Sequence, residues 1–413
     1  SGFLSQVGAE ESMTSDQVVW SEQGRLHLAY TGTVTIATSV VAITGHASTN
    51  AVYAAATHGL RVGDTVLVAM TSGFTYPARV TAVAADNVTA LPYGGAHTTN
   101  VTGGLGGGAG DPVTILKYGS EWPKGSDTPY TTANEPDFMS FANKPAIIRD
   151  MYHVSGSDAS AIGWVEVAGE SGESGYLWYL KAEGDTRMRF TDNLEMTCLE
   201  GEVPVAGSTL DTQTLGGALQ VGGGTNFGTQ GLFDAVDTRG NITNGILGTS
   251  CTTDLLEFDA ILAEFDRQGA IEENMMFLNR STSLAMDDML ASMNSYGAGG
   301  TSYGVFQNSE QMALNLGFAG FRRGSYDFYK SDFRYLNDLA TRGGINAANA
   351  ANAIRGVIVP AGTSTVYDQM LGKNLKRPFL HVRYRASQTD DRRMKSWVTG
   401  SVGAATSALD AMQ

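Results

Sequence analysis

Residues able to do chemistry are spread thinly along these 413 residues. The run Gly103-Gly-Leu-Gly-Gly-Gly-Ala-Gly110 has the backbone freedom to wrap a phosphate. Phosphate-binding loops, however, end in Lys-Ser or Lys-Thr and open a helix, and neither follows here. Gly222–Gly223–Gly224 shares that lack, and Gly372–Lys373 runs on into Asn374. A metal needs convergent ligands, yet the six histidines (His27, His46, His58, His97, His153, His381) stand singly, with no pair one helical turn apart. Asp287–Asp288 and Asp390–Asp391 are adjacent acids without calcium-loop spacing. No Gly-x-Ser-x-Gly elbow accompanies a histidine and an acid, and Val154–Ser155–Gly156–Ser157 reads as a turn. Cys198 and Cys251 form neither a disulfide framework nor a metal spacing and fit free thiols of a reducing compartment. The expectation is a protein without catalytic residues, cofactor or metal.

One chemistry is enriched. Basic residues gather toward the C-terminus at Arg322–Arg323, Lys373, Lys376–Arg377, Arg383, Arg385, Arg392–Arg393 and Lys395. The aromatics Phe321, Tyr326, Phe328, Tyr329, Phe333 and Tyr335 lie among or just before them. Interleaved cations and rings suit single-stranded nucleic acid. They also suit protein interfaces, where Arg and Tyr are over-represented. The chain's net charge of -15 weighs against a phosphate-gripping protein, because that affinity comes from Lys and Arg displacing counterions. The reading is therefore an interface between subunits, with nucleic-acid binding as the runner-up and a plain solvated face third. Its candidate residues are Arg187, Arg189, Arg322, Arg323, Tyr326, Arg383, Arg385, Arg392, Arg393 and Trp397.

Elements must position such residues. Residues 1–30 are weakly patterned, like an arm that orders only against a partner. From 31 to 118 Thr, Val, Ala and Gly dominate, charge nearly vanishes, and polar and apolar residues alternate in Thr33–Val34–Thr35–Ile36 and Ala78–Arg79–Val80–Thr81–Ala82–Val83. This predicts an all-β insertion of barrel or sandwich type. Residues 119–173 read as loops with short apolar segments at Ala146–Ile148 and Ile162–Val165.

A helix is predicted from Gly175 to about Leu199. Its stripe is Leu177, Leu180, Gly184, Met188, Thr191, Leu194 and Cys198, and its four-apart pairs are Lys181–Asp185, Glu183–Arg187 and Asp185–Arg189. Residues 205–250 read as strands and loops. A second helix is expected after a Thr253 cap and ends near Gly269, then a strand at Met275–Leu278, then a third helix capped by Ser281 or Ser283. Strands close the chain at Gly356–Val359, Pro378–Arg385 and Trp397–Thr399. The class is α+β. No apolar run approaches the ~20 residues of a membrane span, and no signal segment opens the chain.

The order of these parts resembles the major capsid proteins of tailed bacteriophages, which share a Hong-Kong-97-like fold. The segments Asn143-Lys-Pro-Ala-Ile-Ile-Arg-Asp150, Val154-Ser-Gly-Ser-Asp-Ala-Ser-Ala-Ile-Gly-Trp-Val-Glu-Val167 and Ser174-Gly-Tyr-Leu-Trp-Tyr-Leu-Lys-Ala-Glu183 look like capsid sequences of crAss-like and related environmental phages. The resemblance is specific over about 140–200 and elsewhere is one of layout. It implies an N-terminal arm (1–30), an all-β insertion in or beside an extended loop (31–118), the rest of that loop (119–173), a spine helix (174–204), and peripheral and axial domains (205–413). It implies hexamers and pentamers of self-assembled subunits that enclose double-stranded DNA, with portal, scaffold and decoration proteins as partners. The site would be the virion, assembled in the host bacterial cytoplasm. Ser1 in first position is what maturation cleavage of a precursor leaves, and equally what a cloning choice leaves. The rival readings are a phage tail-tube or baseplate protein with a β insertion, and a secreted β-rich carbohydrate-active enzyme or adhesin.

Overall fold

The computed structural model describes residues 3–4, 10–23, 27–35, 38–46, 58–71, 73–94, 110–126, 138–154, 167–168, 174–175, 178–205, 207–212, 228–243, 251–294, 320–348, 353–361, 363–368 and 373–397. They form a mixed α+β chain, mostly strands with a few helices, in two compact units. One comprises residues 1–18 and 142–413; the other, 19–141, is inserted into it.

The inserted unit is a closed six-stranded barrel. Its strands are β3 (Ala29–Thr35), β4 (Val40–His46), β5 (Asp64–Met70), β6 (Thr75–Ala84), β7 (Asn87–Pro92) and β8 (Asp111–Ser120), in the order β3-β4-β7-β6-β5-β8 and antiparallel throughout. Period-two alternation sends Val34, Val41, Val66, Val68, Ala78, Val80, Val88 and Ile115 into one buried cluster. Closure leaves no strand edge to aggregate. Before the barrel, β1 (Glu10–Met13) and β2 (Val18–Gln23) have been laid down; β2 pairs with β9 (Phe138–Asn143), so the insertion begins and ends on one ladder.

Polar groups inside the barrel are held by its loops. Asp64, fully buried, accepts the Arg61 amide at 2.8 Å and pairs with Lys117 at 2.9 Å. His58 Nε2 meets the Ala85 carbonyl at 2.7 Å, and Ala85 turns the β6–β7 corner at φ 50°. Gly63 sits at φ +95°, and a Cβ there would lie 2.4 Å from Trp122 Cζ2; only glycine fits.

The larger unit is organised by a four-stranded mixed sheet: β13 (Gly320–Arg323), β14 (Tyr326–Asp332), β12 (Glu273–Leu278) and β15 (Gly356–Pro360) in that order. Its helices are α1 (Trp178–Glu200), α2 (Thr209–Thr212), α3 (Leu232–Arg239), α4 (Cys251–Gln268), α5 (Arg280–Asn294) and α6 (Arg342–Ala348). Alternation on β12 divides two cores. Met276 and Leu278 join Phe258 of α4, Met286 and Met289 of α5, and Phe321, Tyr326 and Phe328. Phe277 faces the other way, with Phe3, Leu199 of α1, Phe233 of α3, Phe333, Leu336, Val357 and Val359. Smaller ladders are β10 (Val167–Ala168) with β11 (Ser174–Gly175), β16 (Thr363–Asp368) with β17 (Lys373–Pro378), and β1 with β18 (Val382–Arg385), the last parallel.

Several expectations are corrected here. Residues 205–250 contain α2 and α3, which the surrounding glycines hide from pattern reading. The second helix begins at Cys251, ahead of Thr253. The third is capped by Asn279, whose Oδ1 accepts the Thr282 amide at 2.8 Å, and not by Ser281 or Ser283. The stretch Pro378–Arg385 is two strands broken at 379–381. The arm does not wait for another chain: Phe3 is buried, and Glu10–Met13 pairs with the chain's own Val382–Arg385. Ile162–Val165, Val398 and Thr399 lie outside the described residues.

Candidate assembly interface

Helix α1 is the element whose surroundings set it apart. Its 23 residues rise about 35 Å at ~1.5 Å each. From Lys181 to Asn193 every residue is exposed or half-buried; among the helix residues whose side chains are described, full burial comes only at Leu199. Over its middle turns the predicted stripe is thus not a core face: Gly184 and Thr191 are exposed and Met188 is 62% exposed, while Leu194 and Cys198 are half-buried and Leu177 and the Leu180 side chain lie outside the described residues. Thr186, Thr191 and Thr197 turn their hydroxyls back onto carbonyls four residues earlier, removing polar groups from that surface.

The helix is anchored at its C-terminal end. Gly201 and Gly231 touch through a 2.7 Å backbone hydrogen bond, and a Cβ on either would strike the other's strand of chain at 2.5–2.6 Å. Glu200 accepts from the Tyr335 hydroxyl at 2.8 Å and pairs with Arg342 at 2.6 Å. Burial, then the Glu200 hydrogen bond, pushes the Tyr335 phenol well above its ordinary value. Asn143 clasps residues 229–230: its Oδ1 accepts the Gln230 amide at 2.8 Å and its Nδ2 donates to the Gln230 carbonyl at 3.0 Å.

The predicted basic residues are placed as follows. Arg187 pairs with Glu183 at 2.8 Å along the helix, as the spacing predicts. Arg189 turns away from Asp185 to Asp150 at 3.1 Å, and its guanidinium holds the Asp150 carboxyl below the usual range. Arg323 grips Asp259 of α4 with two nitrogens, at 2.6 and 2.9 Å, while Arg322 lies 3.6 Å from Asp327. Tyr326 is not on the surface: its ring is buried and its hydroxyl donates to Asp266 at 2.6 Å, which raises its pKa.

Arg383, Arg385 and Arg393 converge on the arm, pairing with Glu11, Asp16 and Glu10. Arg393 also lies 5.7 Å over the Tyr384 ring. Arg392 is exposed, and Trp397 is 75% exposed. The structure thus brings Arg383, Arg385 and Arg393 together against the acidic arm, and keeps the Arg187/Arg189 and Arg322/Arg323 pairs as separate sites.

What sequence reasoning missed is the arm's role. Glu10, Glu11 and Asp16 are the acids that complement the C-terminal arginines, and their opposite sign was the available signal. Ion pairs this exposed are each worth about 0–1 kcal/mol and exchange partners readily.

Among the described residues no group of three His, Cys, Asp or Glu gathers as metal ligands, and no helix is long and apolar enough to cross a membrane. Cys198 is a free thiol whose pKa is raised by burial. No protein-family model matches the chain, and no curated protein does.

Proposed function

We propose that this chain is the major capsid protein of a tailed bacteriophage, with the Hong-Kong-97-like fold, and assembles into hexamers and pentamers around double-stranded DNA. The observation that carries the reading is helix α1: a rod about 35 Å long, anchored at its C-terminal end and, along 181–193, left exposed or half-buried by the described residues of its own chain. A single subunit gains little from such a helix, whereas a tiling subunit uses it as a face for neighbours. Modest contacts suffice, because many interfaces close around each copy. The inserted β unit by itself also suits a tail-tube or baseplate protein, which assembles into tubes or plates.

Light scattering and negative-stain microscopy of the purified chain under a range of salt and crowding conditions test this. Closed megadalton shells are expected. Tubes would move the assignment to the tail, and single copies under every condition would end it.

A further inference from the structure

A small ribbon at the chain's two ends gathers arginines on one side. β1 runs parallel to β18, with Glu11 opposite Arg383 and Met13 opposite Arg385. Beyond β18 the chain doubles back: Ala386 bridges Asp391 antiparallel, and the Arg392 amide donates to the Arg385 carbonyl at 3.1 Å. One step further, that register sets Arg392 opposite Arg385 and Arg393 opposite Tyr384, whose ring Arg393 covers at 5.7 Å. Residues directly opposite share a face, and neighbours along a strand alternate. One face of the ribbon therefore holds Arg383, Arg385 and Arg392, while Arg393 belongs to the other.

Like charges directly opposite destabilise a ladder unless an anion lies by them. The chain supplies that anion from its own arm: Glu11 meets Arg383 at 3.2 Å, and Asp16 meets Arg385. Arg383 is aimed by its Nε, which donates to His381 at 3.2 Å and leaves an outer nitrogen for the carboxylate. Arg392 stays exposed. Residues 381–397 carry five Lys and Arg against two Asp, and widening the span to 373–397 adds three bases and no acid. Glu10, Glu11 and Asp16 of the arm cancel the nearer excess of three. Exposed charges are screened beyond about 10 Å at 0.1 M salt, so an incoming polyanion meets this local balance and not the chain's total.

We propose that the face of Arg383, Arg385 and Arg392 binds the phosphate backbone of nucleic acid, and that the acidic arm covers it as a competitor. Guanidinium forks take phosphate and carboxylate alike. What separates the two is the gain on exchange. An acidic protein segment would only replace the arm's carboxylates with others, whereas a polyphosphate also releases its condensed counterions. The arm yields readily, because exposed ion pairs are weak. It need not leave: Phe3 stays buried while the side chains of Glu11 and Asp16 turn aside. The site requires no shell and so goes beyond the capsid reading.

Fluorescence anisotropy of the full chain with labelled DNA, single-stranded and duplex side by side, tests it across a salt series. Glu11→Gln with Asp16→Asn should bind about tenfold tighter than the native chain. The gain should exceed that of Glu202→Gln with Asp237→Asn, exposed acids elsewhere that change net charge equally. In the freed background Arg392→Gln alone, outside the arm's ion pairs, should weaken binding. Arg383→Gln, Arg385→Gln and Arg392→Gln combined should lower the salt slope by about 2, at ~0.7 per phosphate contact on a single strand. Arg267→Gln, Arg280→Gln and Arg334→Gln combined, the same charge lost from other exposed positions, should leave the slope unchanged. No binding, an equal gain from the control acids, or a slope untouched by the ribbon arginines overturns the proposal. So does a polyglutamate peptide that binds the freed face as tightly as DNA, which would give the face to acidic proteins. Shell formation, read by light scattering, is decided separately from every one of these outcomes.

Discussion

At the scale of single residues, the buried pair Lys330–Asp287 is the sharpest test of the larger unit. Both side chains are under a tenth exposed, at 7% and 8%, and they join β14 to α5 on the side of the sheet that holds Met286 and Met289. A buried pair recovers little net energy, but removing one partner strands the other. Lys330→Met should therefore cost about 3–5 kcal/mol in chemical denaturation, and adding Asp287→Leu should restore most of it. Equal loss in single and double variants would mean that packing, not charge, explains the cost. Tyr93 offers a pH readout. Its hydrogen bond to Glu121 holds the neutral phenol, raising its pKa from 10.0 to about 12. The folded pKa lies above the unfolded one, so this contribution is complete below pH 10 and fades as pH climbs through about 12. The phenolate absorbance difference between the native chain and Tyr93→Phe should titrate near pH 12; titration near 10 in the folded protein would show the bond absent.

At the scale of elements, what could be read from sequence was what depends on near neighbours. Thr33–Val34–Thr35 and Ala78–Val83 alternate, and the barrel strands lie there, because inward and outward positions repeat every second residue. The 3.6-residue period likewise located a helix, expected from Gly175 to about Leu199 and found over Trp178–Glu200, with Gly175 in strand β11 instead. The same period misjudged its surroundings. Apolar spacing says that a face seeks cover, not that its own chain supplies it, and Met188 remains 62% exposed. Pairings between distant residues were illegible. Arg393 meets Glu10 across 383 positions, and Arg189 leaves its helical neighbour Asp185 for Asp150. Tyr326 looked like an interface ring because basic residues flank it, and its place in the core follows only from pairing β14 beside β12. Helix α1 carries its own prediction. Nothing lies within 4 Å of a Cβ at Gly184, so Gly184→Ala should stabilise the lone subunit by about 0.5–1 kcal/mol in thermal or denaturant melts. If a neighbouring helix packs against that glycine in the assembly, the same variant should slow or block particle formation. A gain in stability with unchanged assembly would remove Gly184 from any subunit contact.

At the scale of the whole molecule, the balance of forces is between a net charge of -15 on each copy and apolar faces that each bury little alone. Repulsion between acidic copies reaches about one Debye length, ~10 Å at 0.1 M salt and ~3 Å at 1 M. Apolar attraction is not screened in this way. Raising salt should therefore lower the protein concentration at which particles appear. The arginine–acid pairs of the arm pull in the opposite direction, since Arg383, Arg385 and Arg393 lose attraction to Glu11, Asp16 and Glu10 as salt rises. Each of these exposed pairs is worth at most about 1 kcal/mol, whereas repulsion is summed over every neighbour of every copy. Repulsion should win, and light scattering across a salt series should show assembly promoted from low to high ionic strength. If assembly weakens instead, opposite charges across subunits hold the particle together. The C-terminal arginines would then leave the arm for neighbouring chains, and Glu10→Gln, Glu11→Gln and Asp16→Asn combined would tell the two apart by freeing those arginines without altering the apolar faces.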